Sequence, residues 1–391
     1  MRRPAPSLLA LALIGLTVLA GCATPSAAPS PSPTRAVPTP TPTPTPPTPA
    51  EWAAERVATM TVEQKAASLL MLHAPGTDPA PLRALIDQGI AGVILMGDNI
   101  PADQAATAAL AGALQADPEA ATLVGMDQEG GIVSRIDWDP APAPAALRAE
   151  PPEVVRDAFA ARGGALAASG VNVNFGIVAD VTADPGSFIF ERVLGTDPAA
   201  SAERVAAAVD GEQGAVASTL KHFPGHGAAP GDSHTSVPSA SLSLEQWRAE
   251  PARPFAAGID AGAELVMTGH LAYPAVDAAP ASLSAEWHRI LRDELGFDGV
   301  VVTDDMLMLQ HNELPEYADP GENAVRAVAA GSDLLLYVLP ADPSEFGISV
   351  DGLVASIAGA VASGRIPEER LDDAAERVLE LRRELAVGER E

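Results

Sequence analysis

The fold class this sequence predicts is α/β, a (β/α)8 TIM barrel formed as a single domain, and three observations point to it. Eight short, almost wholly apolar runs recur from residue 69 onward, alanine-rich amphipathic stretches separate them, and about 340 residues follow the last proline-rich segment, a length that exceeds an ordinary single core but suits a barrel with inserted loops. Continuous apolar strands joined by helical crossovers imply a parallel sheet covered on its outer face, and eight such units suggest closure. A doubly wound open sheet is the alternative, but no strand opens a G-x-G-x-x-G helix, the usual sign of a nucleotide crevice.

The strand runs are residues 69–72, 92–96, 122–126, 171–178, 216–220, 264–268, 299–303 and 333–338. Their length and their Val, Ile and Leu content suit strands buried on both faces. The helical stretches between them are residues 79–88, 102–115, 153–169, 198–213, 244–261, 285–295 and 322–330. In such a barrel the site lies where strands end and the following loops begin. Those ends carry Asp127, Gln128 and Glu129 after the third run, and Asn174 and Asp180 around the fourth. Lys221 and His222 follow the fifth, His270 the sixth, and Asp304 and Asp305 the seventh.

Composition bounds the partners. With 24 Lys+Arg against 52 Asp+Glu the net charge is −28, and so acidic a surface lacks the basic face that nucleic acid requires. At 47% apolar the chain is able to bury a substantial core, which excludes disorder over the whole length. Residues 23–50 differ: they hold 11 of the 37 prolines, seven threonines and one charged residue, Arg35, so they form a tether. At about 3.1 Å per residue its extended reach is roughly 90 Å.

Arg2 and Arg3 precede an apolar run over residues 8–20, which is short for a membrane span and right for a signal-peptide core. Leu19-Ala20-Gly21-Cys22 then resembles a bacterial lipobox, with cleavage before Cys22 leaving that thiol to carry lipid. The expected division is a signal peptide over residues 1–21, a lipidated cysteine and Pro/Thr-rich tether over 22–50, and the barrel over 51–391. The expected location is extracytoplasmic, anchored to the membrane through Cys22. Cys22 is the sole cysteine, so no intrachain disulfide forms.

Arginine outnumbers lysine 22 to 2, the lysines being Lys65 and Lys221. A residue type so depleted is expected where a compact ammonium is needed and a flat guanidinium will not serve, which singles out Lys221 at a strand end. The segment Lys221-His222-Phe223-Pro224-Gly225-His226-Gly227, with Asp232-Ser233-His234, gathers three of the seven histidines in 13 residues. A solvated glycine-rich loop is the plain reading. A metal site using His222, His226, Asp232 and His234 is a second, though Pro224 and Gly225 prevent His222 and His226 from sharing a helical face. A third makes Asp232 and His234 a carboxylate-oriented imidazole that gives and takes a proton. In Thr303-Asp304-Asp305, one carboxylate is expected to cap the next helix and the other to face the pocket; periodicity alone does not choose between them.

Taken together, Asp127-Gln128-Glu129-Gly130-Gly131, the Lys221–Gly227 segment with Asp232-Ser233-His234, and Thr303-Asp304-Asp305 resemble the three signatures of glycoside hydrolase family 3, specifically its single-domain β-N-acetylhexosaminidases, over residues 52 to about 386. The resemblance implies that Asp304 is a catalytic nucleophile and that His234, held by Asp232, is the acid and base. It implies that Asp127, Arg135, Arg192, Lys221 and His222 hold the sugar. The sequence departs from the family at Ile132, where Arg is usual, at Ala228-Ala229, where Asp-Thr is usual, and at Met96, where an aromatic is common. The implied activity is retaining, exo-acting removal of terminal N-acetylglucosamine from peptidoglycan fragments or related glycans, with no metal or organic cofactor. Alternatives are a phosphorylase or β-glucosidase of the same family, or a non-catalytic lipoprotein that binds cell-wall glycan.

Overall fold

The computed structural model describes Gly21 and residues 46–388. Cys22, the run over residues 8–20 and most of the proline-rich segment lie outside the described residues. The chain divides between Pro46 and Pro47, and the second unit, Pro47–Glu391, carries the barrel.

Eight parallel strands form it: β1 (Leu70–Leu72), β2 (Gly92–Leu95), β3 (Leu123–Met126), β4 (Val173–Val178), β5 (Ala217–Phe223), β6 (Leu265–Thr268), β7 (Val300–Thr303) and β8 (Leu335–Tyr337). Each pairs with its sequence neighbour, and β8 returns to pair with β1, Leu70 opposite Leu335 and Leu72 opposite Tyr337. The remaining seam, between β7 and β8, is joined by a Val302–Leu334 bridge and by the Thr303 N–H donating to the Leu334 carbonyl at 3.0 Å. The fold is therefore the (β/α)8 barrel expected. Its interior is filled, not hollow: Met71, Ile94, Leu123, Val173, Phe175, Leu265, Val300 and Leu336 pack across it, as such barrels require.

Most helices start where the sequence provides a cap. Asp103, Asp197 and Asp319 accept backbone N–H bonds at the starts of Gln104–Leu114, Pro198–Glu212 and Pro320–Ala330, satisfying donors that no helical carbonyl reaches. The stretch expected over residues 244–261 is two helices, Leu244–Ala249 and Ala252–Asp260; Pro251 supplies no N–H to continue the first. The stretch over 285–295 begins as an α-helix, Ala285–Arg289, and continues as a π-turn, Ile290–Glu294. Two helices beyond β8, Val350–Ala362 and Glu368–Val387, complete the outer ring. The stretch Pro343–Ala362 is long and apolar enough to cross a bilayer by composition, yet Val350, Leu353, Ile357 and Ala360 belong to the barrel's own core.

Both lysines are buried and ion-paired. Lys65 meets Asp372 at 2.5 Å, tying helix Val62–Ala67 to the last helix, and Lys221 meets carboxylates at the barrel rim. Asn174 on β4 turns away from the rim: its Nδ2 donates to the Gln128 carbonyl at 3.2 Å and to Glu212 Oε1 at 2.5 Å. Glu212 is fully buried, and burial pushes its carboxyl up to about 8. Because the folded-state value lies above the unfolded 4.5, the protein loses stability as pH climbs from about 4.5 towards 8. Glu212→Gln keeps the oxygen that Asn174 needs and removes the titration. Its melting temperature should match wild type near pH 4.5 and exceed it by about 5 °C at pH 9. Parallel Tm–pH curves for the two proteins would contradict this.

Candidate active site

β3 and β5 build the floor of the site. Asp127 and Glu129 follow β3, while Lys221 and His222 lie within β5, which runs to Phe223 and not only to Leu220. Lys221 Nζ reaches Asp127 Oδ1 at 2.7 Å and Glu129 Oε1 at 2.8 Å. Arg192, from the loop after β4, forms a fork on Glu129 at 2.8 and 2.7 Å. Arg135 leans on Asp127 at 3.4 Å, and its Nε is buried without a partner among the described residues. These charges decide the ionisation. Burial lifts Asp127, but Lys221, Arg135 and Arg192 outweigh it and bring the carboxyl down to about 2. Burial presses Lys221 down, but Asp127 and Glu129 hold it above its usual value. The floor is a rigid, fully ionised lattice whose shared carboxylates orient the cations.

A second lattice starts from Asp180, just past β4. Its Oδ2 lies 2.8 Å from His222 Nδ1, and its Oδ1 takes the His226 N–H at 2.5 Å. A carboxylate only accepts, so Nδ1 of His222 carries the proton; Nε2, 3.3 Å from Arg192 Nη2, is left as acceptor. The turn after β5 is set by its glycines. Gly225 has φ +128°, and a Cβ on Gly227 would lie 2.0 Å from the Val181 carbonyl oxygen, so neither tolerates a side chain. Trp247 Nε1 donates to the Pro224 carbonyl at 2.7 Å and Tyr273 Oη to the Gly225 carbonyl at 2.6 Å.

From this anchored turn the chain rises to His234. Ser233 is buried and meets His226 Nε2 at 3.1 Å, while Asp232 Oδ1 takes both the His234 N–H at 2.9 Å and Nδ1 at 2.7 Å. Burial lifts the Asp232 carboxyl, but its two bonds from His234 together with the charge of that ring outweigh it and bring the carboxyl below the usual range. Nδ1 of His234 thus carries the proton that Asp232 accepts, and Nε2 is free to exchange one. The imidazole side chain is 57% exposed, so it stands at the mouth while Lys221 and Glu129 lie at the bottom.

The structure separates the two carboxylates after β7. Asp305 Oδ1 accepts from the Leu307 N–H at 3.0 Å and the Val338 N–H at 2.9 Å, capping the next turn and fastening β8. Burial and the neighbouring Asp304 push its carboxyl up to about 7 despite those bonds. Asp304 is lifted by burial too, but His222, His270, the Asp305 N–H and Lys221 prevail and hold it below the usual carboxylate range. His270 fixes this corner: Nε2 donates to the Asp305 carbonyl at 2.9 Å and Nδ1 lies 2.7 Å from Ser282 Oγ.

Asp127, Arg135, Arg192, Lys221, His222, His234 and Asp304 line one cavity of about 440 Å³, so the structure brings those seven expected site residues together, with Asp232 behind His234. It adds Glu129 and Asp180, which sequence reasoning placed at strand ends without a task, and Ser233 and Phe188, which it did not single out. Among the described residues no group of three or more His, Cys, Asp or Glu converges as metal ligands would. A larger hollow, about 540 Å³, lies at the opposite end of the strands between Arg56, Met60, Gln88, Ile90 and Arg382. No histidine lines it, and the acid–base groups are all at the other rim.

A (β/α)8 barrel carrying an ionised Asp304 and a carboxylate-aimed His234 in one cavity at the C-terminal rim has the layout of a barrel enzyme that pairs a nucleophile with an acid–base group. Residues 61–381 match the model of the glycosyl hydrolase family 3 N-terminal domain, and the chain belongs to that family. It is 37% identical over 253 residues to a β-hexosaminidase of Xanthomonas oryzae pv. oryzae, covering 61% of this chain and 75% of that one. A family 3 β-N-acetylglucosaminidase from a Paenibacillus species superposes with TM-score 0.76 at 35% identity over 84% of this chain; the match spans 63% of that longer protein. The β-N-acetylhexosaminidase of Beutenbergia cavernae gives TM-score 0.70 at 31% identity, over 82% of this chain and 98% of that one.

Proposed function

We propose that the protein is a retaining β-N-acetylhexosaminidase that hydrolyses terminal N-acetylglucosamine from glycans, with Asp304 as nucleophile and His234, aimed by Asp232, as acid and base. The observation that carries this reading is that Asp304 and the Nε2-free His234 line one cavity from different loops, while Asp305, on the same lining, has its Oδ1 committed to two backbone N–H groups. An Asp304 oxygen attacks the anomeric carbon as the bond to the leaving oxygen breaks, and the Nε2 proton of His234 passes to that oxygen. Neutral Nε2 then takes a proton from water, whose oxygen attacks the same carbon and frees the Asp304 carboxylate. The ionised state of Asp304 suits the first step. Asp127, Arg135, Arg192, Lys221 and His222 line the cavity and present fixed donors and acceptors to the sugar hydroxyls. A cavity closed below by Glu129 and Lys221 accepts a chain end and not a chain interior, which makes the action exo. The similarity to the Paenibacillus β-N-acetylglucosaminidase supports N-acetylglucosamine as the sugar removed.

The test is hydrolysis of a chromogenic N-acetyl-β-glucosaminide beside the corresponding glucoside, each with and without added phosphate. Release from the N-acetyl sugar without phosphate is expected. A requirement for phosphate, with sugar 1-phosphate as product, would make the enzyme a phosphorylase; no turnover of any glycoside would favour a glycan-binding protein.

The Leu19-Ala20-Gly21-Cys22 sequence after its apolar run further supports export and lipidation of Cys22, with the proline-rich segment as tether and the barrel held outside the membrane. Cys22→Ser should shift the protein from the membrane fraction to the soluble fraction without altering specific activity. An unchanged membrane fraction would contradict the lipobox.

A further inference from the structure

We infer that the cavity mouth is a leaving-group subsite built for an uncharged aglycone that presents an apolar face; this rests on the hydrolase reading above. Five large hydrophobic side chains are notably open to water among the described residues, and two of them, Ile132 at 69% and Phe188 at 37%, line this one cavity. A side chain that lines a cavity yet keeps much of its surface in water stands at the entrance. On a chain of net charge −28, apolar groups gathered at an entrance mark contact with a ligand.

Their position relative to His234 says which part of the ligand. The Phe188 ring lies 5.6 Å from the His234 ring in an edge-on arrangement and 5.6 Å from His226. The leaving oxygen must come within hydrogen-bond reach of His234 to receive its proton, so the group attached to that oxygen lies beside Phe188. Ile132, with Met96 and Val133, adds apolar lining to the same cavity. The polar alternative has no support there. The three Arg and Lys side chains lining the cavity, Arg135, Arg192 and Lys221, each meet a carboxylate and are matched in number by Asp127, Glu129 and Asp304 on the same lining, so a negatively charged aglycone finds no excess of positive charge there. The shared chemistry sought is an apolar face, which either a hydrocarbon or the C–H face of a neutral pyranose provides.

Two arms distinguish these sources. The β-N-acetylglucosaminides of methanol, butanol and hexanol differ in apolar area at nearly constant leaving-group basicity. Wild-type kcat/KM should rise about tenfold from methyl to hexyl, chiefly through KM. Ile132→Ser should flatten that rise while turning over the methyl glycoside normally, and Phe188→Leu, which stays apolar, should preserve most of it. In the second arm, a disaccharide with a neutral N-acetylglucosamine aglycone should be cleaved about tenfold better than one whose aglycone is N-acetylmuramic acid with its lactyl carboxylate. A steep alkyl series with no preference between the disaccharides would assign the subsite to hydrocarbon aglycones. A flat alkyl series with the disaccharide preference intact would assign it to neutral pyranoses. Flat responses in both arms, with turnover normal, would overturn the inference alone; absence of turnover on every N-acetyl-β-glucosaminide would overturn the hydrolase reading and this one with it.

Discussion

Asp304→Ala is expected to lower kcat by about ten-thousandfold or more, because the covalent step has no other carboxylate to use. Asp305, its neighbour, is the control. Both lie at the end of β7 and both are partly buried, but Asp305 Oδ1 is committed to the Leu307 and Val338 N–H groups. Asp305→Asn keeps an oxygen at that position and should cost less than about tenfold in kcat, whereas Asp305→Ala would strand two backbone donors and reduce stability. The comparison therefore separates a reactive carboxylate from a structural one. A fluorinated N-acetylglucosaminide that forms the glycosyl-enzyme quickly and releases it slowly should label a single peptide at Asp304. Label on Asp305 or Glu129, or a labelled Asp304→Ala variant, would move the nucleophile elsewhere. Glu129 is an unpromising substitute, since Arg192 and Lys221 occupy both its oxygens.

The barrel was legible because strands buried on both faces leave continuous apolar runs, and all eight appear within a few residues of where those runs lie. The extension of β5 to Phe223 was not, since Lys221 and His222 read as polar loop; only their burial against Asp127, Glu129 and Asp180 shows why charged residues continue a strand. Helix Glu368–Val387 has a readable stripe at Leu371, Ala374, Ala375, Val378 and Leu379. Helix Val350–Ala362, with almost no polar face and two internal glycines, lacks such a signal. In the site, strand-end position and the histidine segment singled out Asp127, Lys221, His222, His234 and the Asp304–Asp305 pair, whereas Arg135 and Arg192 followed only from the family resemblance, and the choice between Asp304 and Asp305 depends on which face of the pleat turns inward. The roles of Asp180 and Ser233 depend on contacts to His222 and His226 that have no trace in local pattern. The apolar mouth was illegible for the same reason: Ile132 and Phe188 are 56 positions apart in the chain and come to line one cavity only in the fold.

The histidine loop gives the sharpest test of mechanism, because the structure makes His234 removable without harm to the fold: its side chain is 57% exposed and its ring bond is to Asp232, itself 41% exposed. A substrate with a good phenolate leaving group needs little protonation, so His234→Ala should lower its kcat/KM by about tenfold, while a natural disaccharide with a poor alkoxide leaving group should lose about a thousandfold. Asp232 acts through the imidazole, holding Nδ1 at 2.7 Å so that Nε2 faces the cavity. Asp232→Ala should accordingly follow the same leaving-group dependence with a smaller loss, and the double variant should be no worse than His234→Ala alone. Metal ligands would behave otherwise, since both substrates would then fail alike and a chelator would reproduce the mutation. Measuring kcat/KM for both substrates in wild type, the two single variants and the double variant, each with and without EDTA, separates these outcomes. Equal losses on the two substrates would remove His234 from the acid role, and additive losses in the double variant would mean that Asp232 does not work through it.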